Sequence, residues 1–156
     1  MKAKPLTAAA FLVAMACLAV GSCRNNAAPV VITQATFGVY RTQVAGQVAL
    51  QSTRHVPLAP GQQYGWLIRL KTNRSRIRWR EDLRLPAPPR TWGTERVGAR
   101  AVSGDNRAIV TEREVDARSG YIFNAWQVEP GDPAGRYTII VSIEDGPSRR
   151  FDFDLN

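Results

Sequence analysis

The chain has 156 residues, with 21 Lys and Arg against 13 Asp and Glu and a formal net charge of +8. Both cysteines, Cys17 and Cys23, lie near the start, so the rest of the chain is excluded from disulfide bonding, cysteine zinc sites and thiol catalysis. The single histidine, His55, leaves a metal centre only scattered carboxylates without ligand spacing.

Residues Met1 to Thr7 carry Lys2 and Lys4 and no acid, and Ala8 to Val20 form a 13-residue apolar run. A charged start, a short apolar run and small residues beyond it are the parts of a secretory signal peptide. The run is shorter than the ~20 residues a membrane-spanning helix needs. It ends in Val20-Gly21-Ser22-Cys23, which resembles the bacterial lipoprotein signal: an aliphatic residue, two small residues, then the cysteine. The resemblance implies a helical signal peptide over residues 1–22, diacylglycerol on the Cys23 sulfur, cleavage before Cys23 and acylation, typically with palmitate, of the new amine. Cys17, preceded by Ala14-Met15-Ala16, would leave too short an apolar run. Ordinary secretion with cleavage near Ser22 is the alternative and leaves Cys23 a free thiol. A single acyl chain anchors a protein only marginally, whereas two or more hold it stably. Arg24 follows the cysteine where Asp would favour the inner membrane, so the family analogy points to the periplasmic face of the outer membrane.

Removing residues 1–22 leaves one domain's length of chain with a formal charge of +6, in which Lys71 is the only lysine. Arginine makes planar, forked contacts with carboxylate or phosphate that lysine does not. Nucleic acid is not an expected partner at the outer membrane. Acidic glycans, phospholipid headgroups, lipopolysaccharide phosphates and acidic proteins are the anions within reach. Residues 23–29 are the lipidated cysteine and a polar tether, and the six residues after Cys23 span at most ~20 Å.

From residue 30 the pattern is one of strands, with no amphipathic helix. Val30 to Ile32 and Phe37 to Arg41 are two short β-rich pieces. Val44, Gly46, Val48 and Leu50 alternate with polar or small residues, and Pro57 and Pro60-Gly61 mark a loop. Trp66, Ile68 and Leu70 share one face of a strand from Tyr64 to Lys71, with Leu67, Arg69 and Lys71 on the other. Thr72 to Ser75 reads as a turn, after which Ile77 and Trp79 alternate with Arg76, Arg78 and Arg80. Pro86-Ala87-Pro88-Pro89 is an extended connection. Ala108 to Asp116 and Tyr121 to Val128 are further strands. Glu129 to Gly135 is a dense turn, and Tyr137, Ile139, Val141 and Ile143 form the inward set of the next strand. Asp145-Gly146 is a hairpin turn leading to alternating Phe151, Phe153 and Leu155.

Phe37-Gly38-Val39-Tyr40, Pro60-Gly61-Gln62-Gln63-Tyr64-Gly65, and Trp126 with Gly131 to Tyr137 together resemble a bacterial family of small immunoglobulin-like β-sandwich domains of unknown function. Residues 81–104 depart from its pattern. The resemblance implies a fold and no activity. The expected fold is all-β, a single immunoglobulin-like antiparallel β-sandwich of about seven to nine strands over residues 30–156.

Arg69, Lys71, Arg76, Arg78 and Arg80 are the candidate anion-binding residues. If their two strands pair across the Thr72–Ser75 turn, Lys71 faces Arg76, Arg69 faces Arg78 and Leu67 faces Arg80. Like charges directly opposite destabilise a sheet, so a compensator is expected. Glu112, Glu114 and Asp116 share one strand face and would form a ladder of exposed ion pairs beside them. The competing readings are an anion-binding face and plain solvent exposure with screening. Trp66, Trp79 and Trp126 are expected in the core. Trp92 is either a cap over the sandwich end or an exposed platform. His55 with Ser52 or Ser103 and an Asp could be written as a triad, but no nucleophile-elbow pattern accompanies it. No catalytic residue, metal ligand or cofactor is assigned. The functional expectation is a lipid-anchored, non-enzymatic binding or envelope-structural module whose partner is the membrane and an envelope protein or anionic glycan or lipid. A periplasmic hydrolase and an accessory or inhibitor subunit are the alternatives, and the oligomeric state is left open.

Overall fold

Ten strands follow one another along the chain in the computed structural model, which describes residues 29–42, 48–92, 99–144 and 146–156. They are β1 (Val31–Thr42), β2 (Val48–Ser52), β3 (His55–Val56), β4 (Gln63–Lys71), β5 (Arg76–Arg84), β6 (Ala99–Val102), β7 (Ala108–Asp116), β8 (Tyr121–Gln127), β9 (Gly135–Ile143) and β10 (Ser148–Leu155). The expected signal peptide, Cys23, most of the tether, Val44, Gly46 and Asp145 lie outside the described residues.

The strands form a four-stranded sheet in the order β2-β1-β4-β8 and a six-stranded sheet in the order β3-β10-β9-β5-β7-β6. Every pairing is antiparallel except that of β3 with β10. The two-residue period of the sequence sets which side chains enter the space between the sheets. Tyr64, Trp66, Ile68 and Leu70 of β4 are buried, as are Ile77, Trp79 and Leu83 of β5 and Tyr137, Ile139, Val141 and Ile143 of β9. Phe37 stacks on Phe153 across the interior at 4.4 Å. Trp66 meets Trp79 edge to face at 5.2 Å and 85°, the geometry favoured by the ring quadrupole.

The closing hairpin has the expected alternation, with β9 and β10 paired from Ser142 opposite Ser148 to Gly135 opposite Leu155. Three expectations are corrected. The two short pieces near residue 30 are one long strand, β1, whose register against β4 shifts between Ile32 and Gln34. Residues 81–84 belong to β5, and β6 also falls within the stretch that departs from the family pattern. Most consequentially, the strands flanking the Thr72–Ser75 turn do not pair. β4 lies between β1 and β8, whereas β5 lies between β9 and β7 in the opposite sheet. The turn therefore carries the chain across the sandwich. Both arrangements satisfy the alternation of β4 and β5, but only this one lets Trp66 and Trp79 meet through the interior.

Candidate functional site

The ladder of opposite charges forms on the outer face of β5 and β7. Arg76 lies opposite Asp116, Arg78 opposite Glu114 and Arg80 opposite Glu112. Arg80 reaches Glu112 at 3.2 Å and Asp82 at 2.9 Å. Arg76 pairs with Glu114, and Arg78 approaches the same carboxylate at 3.8 Å. The hydrogen bond from Arg76 and its charge hold the Glu114 carboxyl below the usual range. Asp116 is pulled down to about 2, chiefly by the Arg118 side chain. Apart from the half-buried Asp82, these groups are exposed, so water and salt screen them and each pair contributes little to stability.

Arg69 and Lys71 are not part of this face. They project from the outer face of the four-stranded sheet, where Arg69 lies beside Gln34 and Tyr121 and Lys71 beside Val31. The Arg69–Arg78 and Lys71–Arg76 oppositions expected from a hairpin do not occur, because β4 and β5 sit in different sheets. No Asp or Glu occurs on β1, β2, β4 or β8. Among the described residues neither Arg69 nor Lys71 has an ion-pair partner. Leu67 lies opposite Phe123 on the same face, and Tyr121 and Phe123 are 42% and 54% exposed.

The interior holds a polar node that the sequence reading missed. Glu81 of β5 is fully buried. Its carboxylate accepts from Trp66 Nε1, from Trp126 Nε1 at 2.6 Å and from Asn124 Nδ2 at 3.1 and 3.2 Å. Burial pushes the Glu81 carboxyl above its ordinary range, while these donors and the charge of Arg113 pull the other way. Arg113 stands 5.6 Å from the centre of the Trp79 ring, and Arg100 stands 5.0 Å from that of Trp126, within reach of cation–π attraction. The overlooked signal was parity. Glu81 falls in step with Ile77, Trp79 and Leu83, and Arg113 in step with Ile109 and Thr111. With both oxygens engaged by donors from β4 and β8, this carboxylate joins the two sheets.

At the far end of the sandwich from Val31, a cleft of about 510 Å³ opens between Tyr64, Trp92, Arg100, Trp126, Asp132 and Tyr137. Trp92 is partly buried, packs against the core and donates from Nε1 to Asn106 Oδ1 at 2.7 Å, so it caps this end. Burial raises Asp132, whose carboxylate accepts the Glu129 backbone N–H at 2.9 Å. Trp66 and Trp79 are in the core as expected, and Trp126 is partly buried against it. His55 is exposed on β3, and among the described residues its ring has no hydrogen-bond partner.

The family model described as the PM0630 beta sandwich domain matches residues 35–156. The chain belongs to this family. The PM0630 domain thus takes in all of β2 to β10 and most of β1, and of the outer faces just described only Val31 and Gln34 lie outside it. Among solved structures, the chain is similar to an immunoglobulin-like protein (PA1606) from Pseudomonas aeruginosa. That likeness has a TM-score of 0.55 at 16% identity and covers 84% of this chain and 99% of that one. It establishes the immunoglobulin-like sandwich of the PM0630 domain and nothing of its activity. A second similar structure, the PmoD soluble domain from Methylocystis sp. ATCC 49242 (Rockwell), gives a TM-score of 0.37 at 11% identity, covering 78% and 90% of the two chains. No curated protein matches the chain.

Proposed function

We propose that this protein is a non-enzymatic binding module, held at the periplasmic face of the outer membrane by acylated Cys23, whose sandwich takes an anionic envelope component. The observation that carries the reading is the contrast between its two outer faces. On the six-stranded sheet Arg76, Arg78 and Arg80 have carboxylate partners. On the four-stranded sheet Arg69 and Lys71 stand on strands without an acid. Of the five basic residues suggested by the sequence, these two are the ones available to a ligand. A hydrolase built on His55 would need a hydrogen-bonded Ser or Asp in a concave site, and its exposed ring gives that alternative no support.

The test has two parts. Fatty-acid labelling in cells is expected to mark the wild-type chain and not Cys23→Ser; an unlabelled wild type removes the anchor. Retention on immobilised anionic glycan or phosphate ligands is expected to fall in Arg69→Ser/Lys71→Ser and to persist in Arg76→Ser/Arg78→Ser/Arg80→Ser. The reverse pattern moves the site to the ladder and defeats the assignment.

A further inference from the structure

The face bearing Arg69 and Lys71 has a second property that an anion site alone does not require. Antiparallel pairing brings the start of β1, the end of β4 and the start of β8 to one end of the sheet. There Val31 lies beside Lys71, Tyr121 beside Arg69, and Phe123 beside Leu67. Val31, Tyr121 and Phe123 are 50%, 42% and 54% exposed. Apolar and aromatic side chains thus alternate with cations on a carboxylate-free surface. Water-facing proteins have little reason to cluster exposed apolar groups, and a purely ionic site would have no use for them. Tyr with its wet hydroxyl and apolar ring, and long basic side chains with apolar stems, suit the boundary between phosphate headgroups and acyl chains.

The chain reaches this same end at Val31. Only a short run of residues separates Cys23 from it, spanning at most ~25 Å when extended. An anchor at Cys23 therefore delivers this end of the sandwich, and not the Trp92 end, to the bilayer. We infer that the outer face of the four-stranded sheet lies against the leaflet that holds the acyl chains. Arg69 and Lys71 engage anionic phospholipid headgroups there, and Val31, Tyr121 and Phe123 enter the interfacial layer. The inference deepens the binding reading above and rests on it for the anchor at Cys23. It leaves the ladder face and the Trp92 cleft directed away from the lipid.

The mature domain has no thiol other than Cys23, so one introduced cysteine can carry a dye. The acylated protein bearing a dye at Gln34→Cys on the four-stranded sheet, or at Ser148→Cys on the six-stranded sheet, is reconstituted in vesicles. These contain phosphatidylcholine with or without phosphatidylglycerol, and a headgroup-depth quencher lipid. Quenching is expected to be several-fold stronger at position 34 than at 148 in the anionic vesicles, and the difference should shrink at 0.5 M salt. Equal quenching, or stronger quenching at 148, overturns the inference. A dye at 34 that is unquenched in vesicles but shielded in native envelopes identifies a protein partner and also overturns it.

A chain that proves unacylated separates the two readings, since the anchor then fails and the face is still tested. Sedimentation of that chain with phosphatidylglycerol vesicles should lose about twenty-five-fold in partitioning in Arg69→Ser/Lys71→Ser, at about fivefold per basic residue. No binding, or no loss, overturns the face.

Discussion

Trp126 Nε1 donates to Glu81 Oε1 at 2.6 Å, joining the edge strand of one sheet to a central strand of the other. Trp66 donates to the second oxygen. The carboxylate thus ties β5 to both β4 and β8 at the centre of the sandwich. Replacing Glu81 with Gln places an amide N–H₂ where one indole N–H now donates, leaving buried donors facing each other. Glu81→Gln should cost about 1–3 kcal/mol, and Glu81→Leu, which strands all of the donors, should cost more. Urea unfolding followed by tryptophan fluorescence measures both, and an unchanged midpoint in Glu81→Leu would remove the node from the account of stability.

The spacing of β4 and β8 near this node depends on a side chain that is absent. A Cβ at Gly65 would lie 2.1 Å from the Asn124 backbone oxygen, and the Asn124 side chain is itself a Glu81 partner. Gly65→Ala must push β8 away from β4, with an overpacking cost of about 1–3 kcal/mol. Gly104→Ala, where the added carbon meets nothing within 4 Å, is the control and should be neutral. Comparable melting temperatures for the two variants would count against the close approach.

The exposed ladder predicts the opposite behaviour. Arg76→Ser/Arg78→Ser/Arg80→Ser should fold, and its small loss of stability at low salt should fade at ~0.5 M salt as screening sets in. Thermal melts at two ionic strengths check this. A large loss that persists in high salt would mean that the arginine stems, not their charges, hold β5 in place.

Two carboxyls set opposite pH dependences. Asp152 is lowered from 3.8 to about 2, by the Arg150 side chain first and then by Thr138, whose hydroxyl donates at 2.7 Å. Its contribution is present above pH 3.8 and is lost as pH falls toward 2. Glu81 is raised above its ordinary 4.5 by burial, so its contribution is fully present below 4.5 and is lost as pH rises through the raised value. The gap between wild type and Asp152→Asn should therefore close in acid. That between wild type and Glu81→Gln should narrow as pH rises. Urea midpoints from pH 2 to 7 report both, and a pH-independent gap in either case contradicts the corresponding assignment.

Much of the sandwich was legible because burial on one side of a strand leaves a two-residue period. Tyr137, Ile139, Val141 and Ile143 announced their face, and Glu112, Glu114 and Asp116 announced theirs. The same period also carried Glu81 inward in plain view, yet an acid between Arg80 and Asp82 reads as part of a charged surface run until its strand's face is known. The grouping of the candidate cations was not legible. The cations were visible, but their grouping depended on a hairpin that does not form.

The sequence by itself determined the β character, the inward and outward sets of most strands, and the absence of any cysteine beyond residue 23. Only the tertiary structure decided which strands became neighbours. Alternation along a strand records that one face is buried but not against what, since a partner beside it in the sheet and one across the interior leave the same pattern. That choice sent β4 and β5 to opposite sheets, gave Arg76, Arg78 and Arg80 their carboxylates, and left Arg69 beside Tyr121 and Lys71 beside Val31 on a face with none.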